Sequence, residues 1–144
     1  MENYIFSMEK VLDYREDIEI KKAEEFAKIK FEISKIEEEI NKLTMELSHL
    51  KEKIGSINKV SELMQTQLYI QLLEENIDMK KLLLLEKNRS LEEKRIELTK
   101  AQTDRKVMEK LKEKDYREFK YKKNMKEQKE LDDISIMKFK RAKN

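Results

Sequence analysis

The chain has 144 residues, of which 44% are charged and 38% hydrophobic, with a formal net charge of +2, one glycine, no proline and no cysteine. So much charge on a 3.5-residue period belongs to coiled coils and long helices, whose single seam leaves no enclosed interior for a deep substrate pocket. The lack of cysteine excludes disulfides, thiolate metal sites and a cysteine nucleophile.

Other chemistry is also missing. The one histidine, His49, lies beside Leu47 and Leu50 but off their apolar row. A lone imidazole makes neither a zinc site nor a proton relay. The acidic residues are interspersed with lysines and no Gly-rich loop accompanies them, so no phosphate cradle or metal cage is indicated. An enzyme, a metal or a cofactor is therefore not expected. The longest aliphatic run, residues 82–85, is far short of the roughly 18–20 residues needed to span a bilayer. The opening MENYIFSMEK lacks the features of a cleaved export signal. No membrane insertion is expected, and a cytoplasmic location is.

Taken in chain order, the pattern starts at Ser7, a candidate N-cap, followed by Met8, Val11 and Leu12 as a first apolar face. It loosens between Arg15 and Ala23, where Ile18 and Ile20 compete for the inward position. From Phe26 it is strict. Phe26, Ile29, Ile33, Ile36, Ile40, Leu43, Leu47, Leu50, Ile54 and Ile57 alternate steps of three and four without a miss, an a/d seam. Gly55 stands at its end, where a left-handed C′ residue would stop the helix. Ser56, Asn58 and Ser61 follow as candidate caps for a second helix. One continuous helix with a tolerated glycine is the alternative.

Beyond the turn the pattern is periodic but poorer. Ile70, Leu73 and Ile77 continue into Leu84, Leu91 and Leu98 at seven-residue steps. A companion row holds Ala101 and Met108, with Lys80, Lys87 and Lys94 in its earlier places. In an antiparallel pairing that turns near residue 59, Phe26 falls near residue 92 and Met8 near Met108 and Leu111. Past about residue 116 the second helix has no partner and overhangs by about 28 residues, roughly 40 Å at 1.5 Å each. Tyr116, Phe119, Tyr121, Met125, Leu131, Ile134, Ile136, Met137 and Phe139 lie there, a surface suited to another protein. The segment is also basic. Residues 102–144 carry 15 Lys/Arg and 9 Asp/Glu, hence +6, against −4 for residues 1–101.

These observations define an all-α fold: a long antiparallel two-helix coiled-coil hairpin with an overhanging C-terminal helix. One domain, 1–144, is expected, with helix one about 7–54, the turn about 55–61 and helix two about 62–141.

Two stretches carry a resemblance. Residues 101–135, AQTDRKVMEKLKEKDYREFKYKKNMKEQKELDDIS, resemble the C-terminal signature of the flagellar FliJ family, chiefly through DRKVMEKLKEK and EQKELDD. Residues 6–17, FSMEKVLDYRED, are similar to that family's N-terminal pattern through KVLDYRE. Length, hairpin plan and basic C-terminal helix agree over most of the chain.

The resemblance implies a soluble component of the flagellar type III protein export apparatus, stalk-like in form. It implies binding and stimulation of the hexameric export ATPase, coupling to the large membrane subunit of the export gate, and association with export chaperones. It places the protein peripherally at the cytoplasmic face of the inner membrane. It also implies an export-gate face after the turn, carried onto Tyr69, Leu73, Asn76 and Lys80, which stand at i, i+4, i+7 and i+11 on one stripe. Tyr69 and Leu73 are expected to be partly exposed; the competing reading makes both of them core beside the turn. An ATPase contact is expected around Met8, Leu12 and Arg15 at the N-terminus and Arg117, Lys129 and Asp132 on the C-terminal helix. Two other readings stand beside this one. One is a stalk of a non-flagellar type III secretion system or rotary ATPase. The other is a helical nucleic-acid binder stacking bases on Tyr116, Phe119 and Tyr121, which the interleaved Glu109, Glu113, Glu118, Glu127 and Glu130 oppose.

Overall fold

The computed structural model describes residues 3–143. Two α-helices, α1 (Glu9–Lys53) and α2 (Val60–Lys143), flank a single 3₁₀ turn at Ile54–Ser56. The helices pack against each other, and there is no strand among the described residues. The chain forms two compact units. Ile20–Thr99 is one; the residues up to Glu19 together with those from Lys100 onward form the other.

In the Ile20–Thr99 unit the strict seam lies inward. Ile33 and Ile36 are buried and the other eight seam residues are half-buried, because each faces only one opposing helix. Leu73 and Ile77 are the buried residues of α2 here, with Leu84, Leu91 and Leu98 half-buried along the same side. The three seam lysines do not leave the interface. Lys80 pairs with Glu39 at 2.7 Å, Lys87 with Glu32 at 2.9 Å and Lys94 with Glu25 at 3.2 Å. Each step of seven forward on α2 is a step of seven back on α1, which fixes the antiparallel register. Lys22 and Glu97 close the ladder at 3.2 Å.

The turn differs from expectation in two respects. Gly55 does not adopt a positive φ, and nothing lies within 4 Å of where its Cβ would stand. The helix ends in a 3₁₀ turn of ordinary handedness, so no left-handed residue is required. None of the three candidate caps starts α2 either. The first helical carbonyl is that of Lys59, which accepts from the Leu63 N–H at 2.9 Å. Ser56 instead donates its hydroxyl to the Lys53 carbonyl at 2.7 Å, satisfying an orphan acceptor at the end of α1.

In the other unit the core is Phe6, Leu12 and Met108, with Tyr4 packed against it. Ser7 and Met8 form a turn before α1, and the Met8 carbonyl accepts from the Leu12 N–H. Of the expected first apolar face only Leu12 points inward; Met8 and Val11 are exposed. Ile18 is half-buried and Ile20 exposed, which settles their competition. Arg15 pairs with Asp104 at 3.1 Å and Lys112 with Glu9 at 2.8 Å. Arg105 pairs with Glu19 and with Glu109. Residues 124–143 are exposed throughout.

Candidate interaction surfaces

The turn-proximal stripe expected to face a partner is turned largely toward α1. Tyr69 donates its hydroxyl to Glu46 Oε1 at 2.5 Å. That bond, partial desolvation and the Glu46 charge raise the phenol's pKa above its usual range. Leu73 is 5% exposed, which corrects the expectation of partial exposure. It occupies the same heptad row as Ala101 and Met108, all three of them buried. Lys80 is held by Glu39, whose carboxyl pKa this hydrogen bond and charge lower. Tyr69, 44% exposed, and Asn76 remain available at the surface.

The larger apolar surface of this region was not legible from the seam. Met64, Leu68, Leu72, Met79 and Leu82 are all more than half exposed. At about 100° per residue they project from α2 on the side opposite Leu73 and Ile77. The signal existed in the sequence, since residues 60–85 carry apolar residues at two phases rather than one. A search for one stripe per helix passes over the second. A shallow hollow lined by Met64, Gln65, Gln67, Leu68 and Gln71 marks its start.

The residues assigned to the second contact are similarly mixed. Met8 is exposed, but Leu12 is 4% exposed, at the centre of its unit's core. Arg15 is committed to Asp104. On α2, Arg117, Lys129 and Asp132 are exposed, and Asp132 accepts a hydrogen bond from Gln128 at 3.2 Å.

Tyr4, before α1, has a role the sequence reading passed over. It donates to Asp115 Oδ2 at 2.9 Å, and its ring meets Tyr116 edge-on with centroids 5.0 Å apart and Phe119 at 5.3 Å. The N-terminal segment thereby covers α2 as far as Phe119, past the expected end of pairing near residue 116. Packing against α2, then the bond to Asp115 and its charge, push the Tyr4 phenol up to about 12. The two rings that nucleic-acid stacking would need first are therefore partly taken up by Tyr4.

Helices packed along one seam, with unpartnered apolar and basic surfaces, define a helical interaction protein. No helix among the described residues is long and apolar enough to cross a membrane, and none of them form a metal-ligating cluster. The chain matches the family model described as "Flagellar FliJ protein" over residues 4–144. It belongs to that family, whose members are non-enzymatic components of flagellar export, and is thereby a flagellar export-associated protein. No curated protein and no solved structure matches it.

Proposed function

We propose that this chain binds and stimulates the hexameric flagellar export ATPase and couples it to the large membrane subunit of the export gate. The observation that carries the reading is the C-terminal part of α2. Residues 124–143 keep Met125, Leu131, Ile134, Ile136, Met137 and Phe139 in solvent among lysines and one arginine, in a chain of this family. Apolar residues left uncovered on a charged helix mark a contact for another protein. Met8, Leu12 and Arg15 belong to the same compact unit as Arg117, Lys129 and Asp132, so one ring could meet both sets. Leu12 then supports the contact from beneath, while Met8, Arg117, Lys129 and Asp132 touch it.

The gate contact belongs to the other unit. Tyr69 and Asn76 form it with the outward stripe of Leu68, Leu72 and Met79, and Leu73 and Lys80 hold the helix from the seam side. Export chaperones share the exposed C-terminal helix. The protein works peripherally, at the cytoplasmic face of the inner membrane, through these partners. A stalk stimulates its ring only through differential affinity for ring states. The test is the ATPase rate against concentration of the full chain and of a chain ending at Phe119, which keeps the contacts to Tyr4. Stimulation by the full chain and none by the shortened one is expected. Equal stimulation by both would move the contact to the paired helices.

A further inference from the structure

The stripe of α2 turned away from α1 in the Ile20–Thr99 unit is a second seam. Gln65, Leu68, Leu72, Glu75, Met79 and Leu82 alternate steps of three and four without a miss, the spacing of an a/d row. All six are exposed, and the four apolar ones are 55–70% so. The side facing α1 is the one where Leu73 and Ile77 are buried. Met64, also exposed, stands beside the first position of the row. A helix with an apolar row on each of two sides has one more surface to cover than α1 can reach.

Two features of the row say what covers it. Its steps, 3-4-3-4-3, read the same in either direction, so a second copy laid antiparallel presents matching positions along the whole row. Leu68 then falls opposite Met79 of the second copy, Met79 opposite Leu68, and Leu82 opposite Gln65. A two-fold pair needs such a self-complementary patch. The second feature is area. Met64 and the four apolar row residues offer roughly 100 Å² each, about 1,000 Å² over two copies, the lower bound for a specific contact. A pair of that size is weak and reversible, micromolar or weaker.

Glu75 is the one charge in the row, and it sets the direction. In a parallel pair the two Glu75 side chains would share a layer. In the antiparallel pair each faces Leu72 of the other copy. Both carboxylates still lie near the two-fold axis among apolar side chains, which lowers affinity.

We propose that the chain self-associates through this second seam, as an antiparallel two-fold pair of α2 helices held by Leu68, Leu72, Met79 and Leu82 and limited by Glu75. The gate contact proposed above uses the same face of α2, so the second copy holds that face until the gate displaces it. The pairing itself does not depend on the gate reading.

The experiment is sedimentation equilibrium of the full chain alone, from micromolar to millimolar concentration, so its outcome stands apart from gate binding. A monomer–dimer equilibrium is expected. Glu75→Gln should tighten it about tenfold, since two carboxylates are no longer held against apolar surface. Leu68→Glu should leave only monomer, and because both residues are exposed, helicity by circular dichroism should not change in either variant. With no native cysteine, a spin label at Gln71→Cys or at Arg89→Cys reads the direction. An antiparallel pair puts two labels at 71 within about 25 Å and two labels at 89 beyond about 40 Å, at 1.5 Å of rise per residue. Monomer at every concentration in both the parent and Glu75→Gln would overturn the proposal. So would a dimer that survives Leu68→Glu, which places the contact on another surface, or short distances at both labels, which make the pair parallel.

Discussion

Leu72 and Leu73 are adjacent in sequence but about 100° apart around α2, one outside the seam and one in it, so truncating each in turn tests the seam directly. Leu73 is 5% exposed and Leu72 55%. Burying a leucine side chain contributes about 1.5–3 kcal/mol, and removing one from a closed core costs roughly 2–5 kcal/mol once the cavity is included. The seam here has a single opposing helix, so water and neighbouring side chains can fill part of the gap. Leu73→Ala should therefore cost near the low end, about 2–3 kcal/mol. At about 3–4 °C per kcal/mol for a chain of this size, that lowers Tm by roughly 6–12 °C. Leu72→Ala removes a side chain already in solvent from a helix that favours alanine, and should change stability by less than about 0.5 kcal/mol. The assay is thermal melting by far-ultraviolet circular dichroism, with gate binding measured by pull-down on the same proteins at low temperature. Leu72→Ala should weaken binding without lowering Tm. Equal destabilisation by the two substitutions would place Leu72 in the seam and refute the facing argued here.

Other outcomes follow from the same contacts. Gly55→Ala should raise stability by about 0.5–1 kcal/mol, because φ is not positive there, the space is open, and alanine restricts the unfolded chain; a fall in Tm would mean a left-handed turn. The carboxyl pKa values of Glu25, Glu32 and Glu39 are lowered by the lysine hydrogen bonds and charges across the seam. A depressed folded-state pKa stabilises above the unfolded value, about 4.5, and that stabilisation is lost as pH falls through the folded one. Melting temperatures should thus hold from pH 7 to about 5 and fall below about 4.5, with a smaller acid loss in the triple Glu→Gln variant; identical acid profiles would deny the ladder its role. The Tyr4 phenol should ionise late, near 12. Because its folded pKa is raised, its contribution is complete below about 10 and lost as pH climbs toward 12. An ultraviolet titration of Tyr4→Phe should lack that late step, and its persistence would assign the step to another tyrosine.

The sequence by itself determined the secondary structure and one face of it. Ten apolar residues at steps of three and four, one glycine and no proline leave few ways to fold, and periodicity alone marks the seam from Phe26 to Ile57. The KVLDYRE and EQKELDD stretches carried the family, since they are specific where heptads are not. Tertiary structure decided what periodicity leaves degenerate. Whether Lys80, Lys87 and Lys94 lie at the interface or point away depends on what stands across from them, and Glu39, Glu32 and Glu25 are 41 to 69 residues distant in sequence. Whether Leu73 serves a partner or the core depends on where α1 lies, because a stripe drawn on one helix does not say which side the neighbour covers. Tyr4 joins α2 across 111 residues to Asp115, beyond the reach of any local pattern. The handedness at Gly55 followed the closure of the two helices, which a 3₁₀ turn achieves without the conformation that only glycine adopts freely.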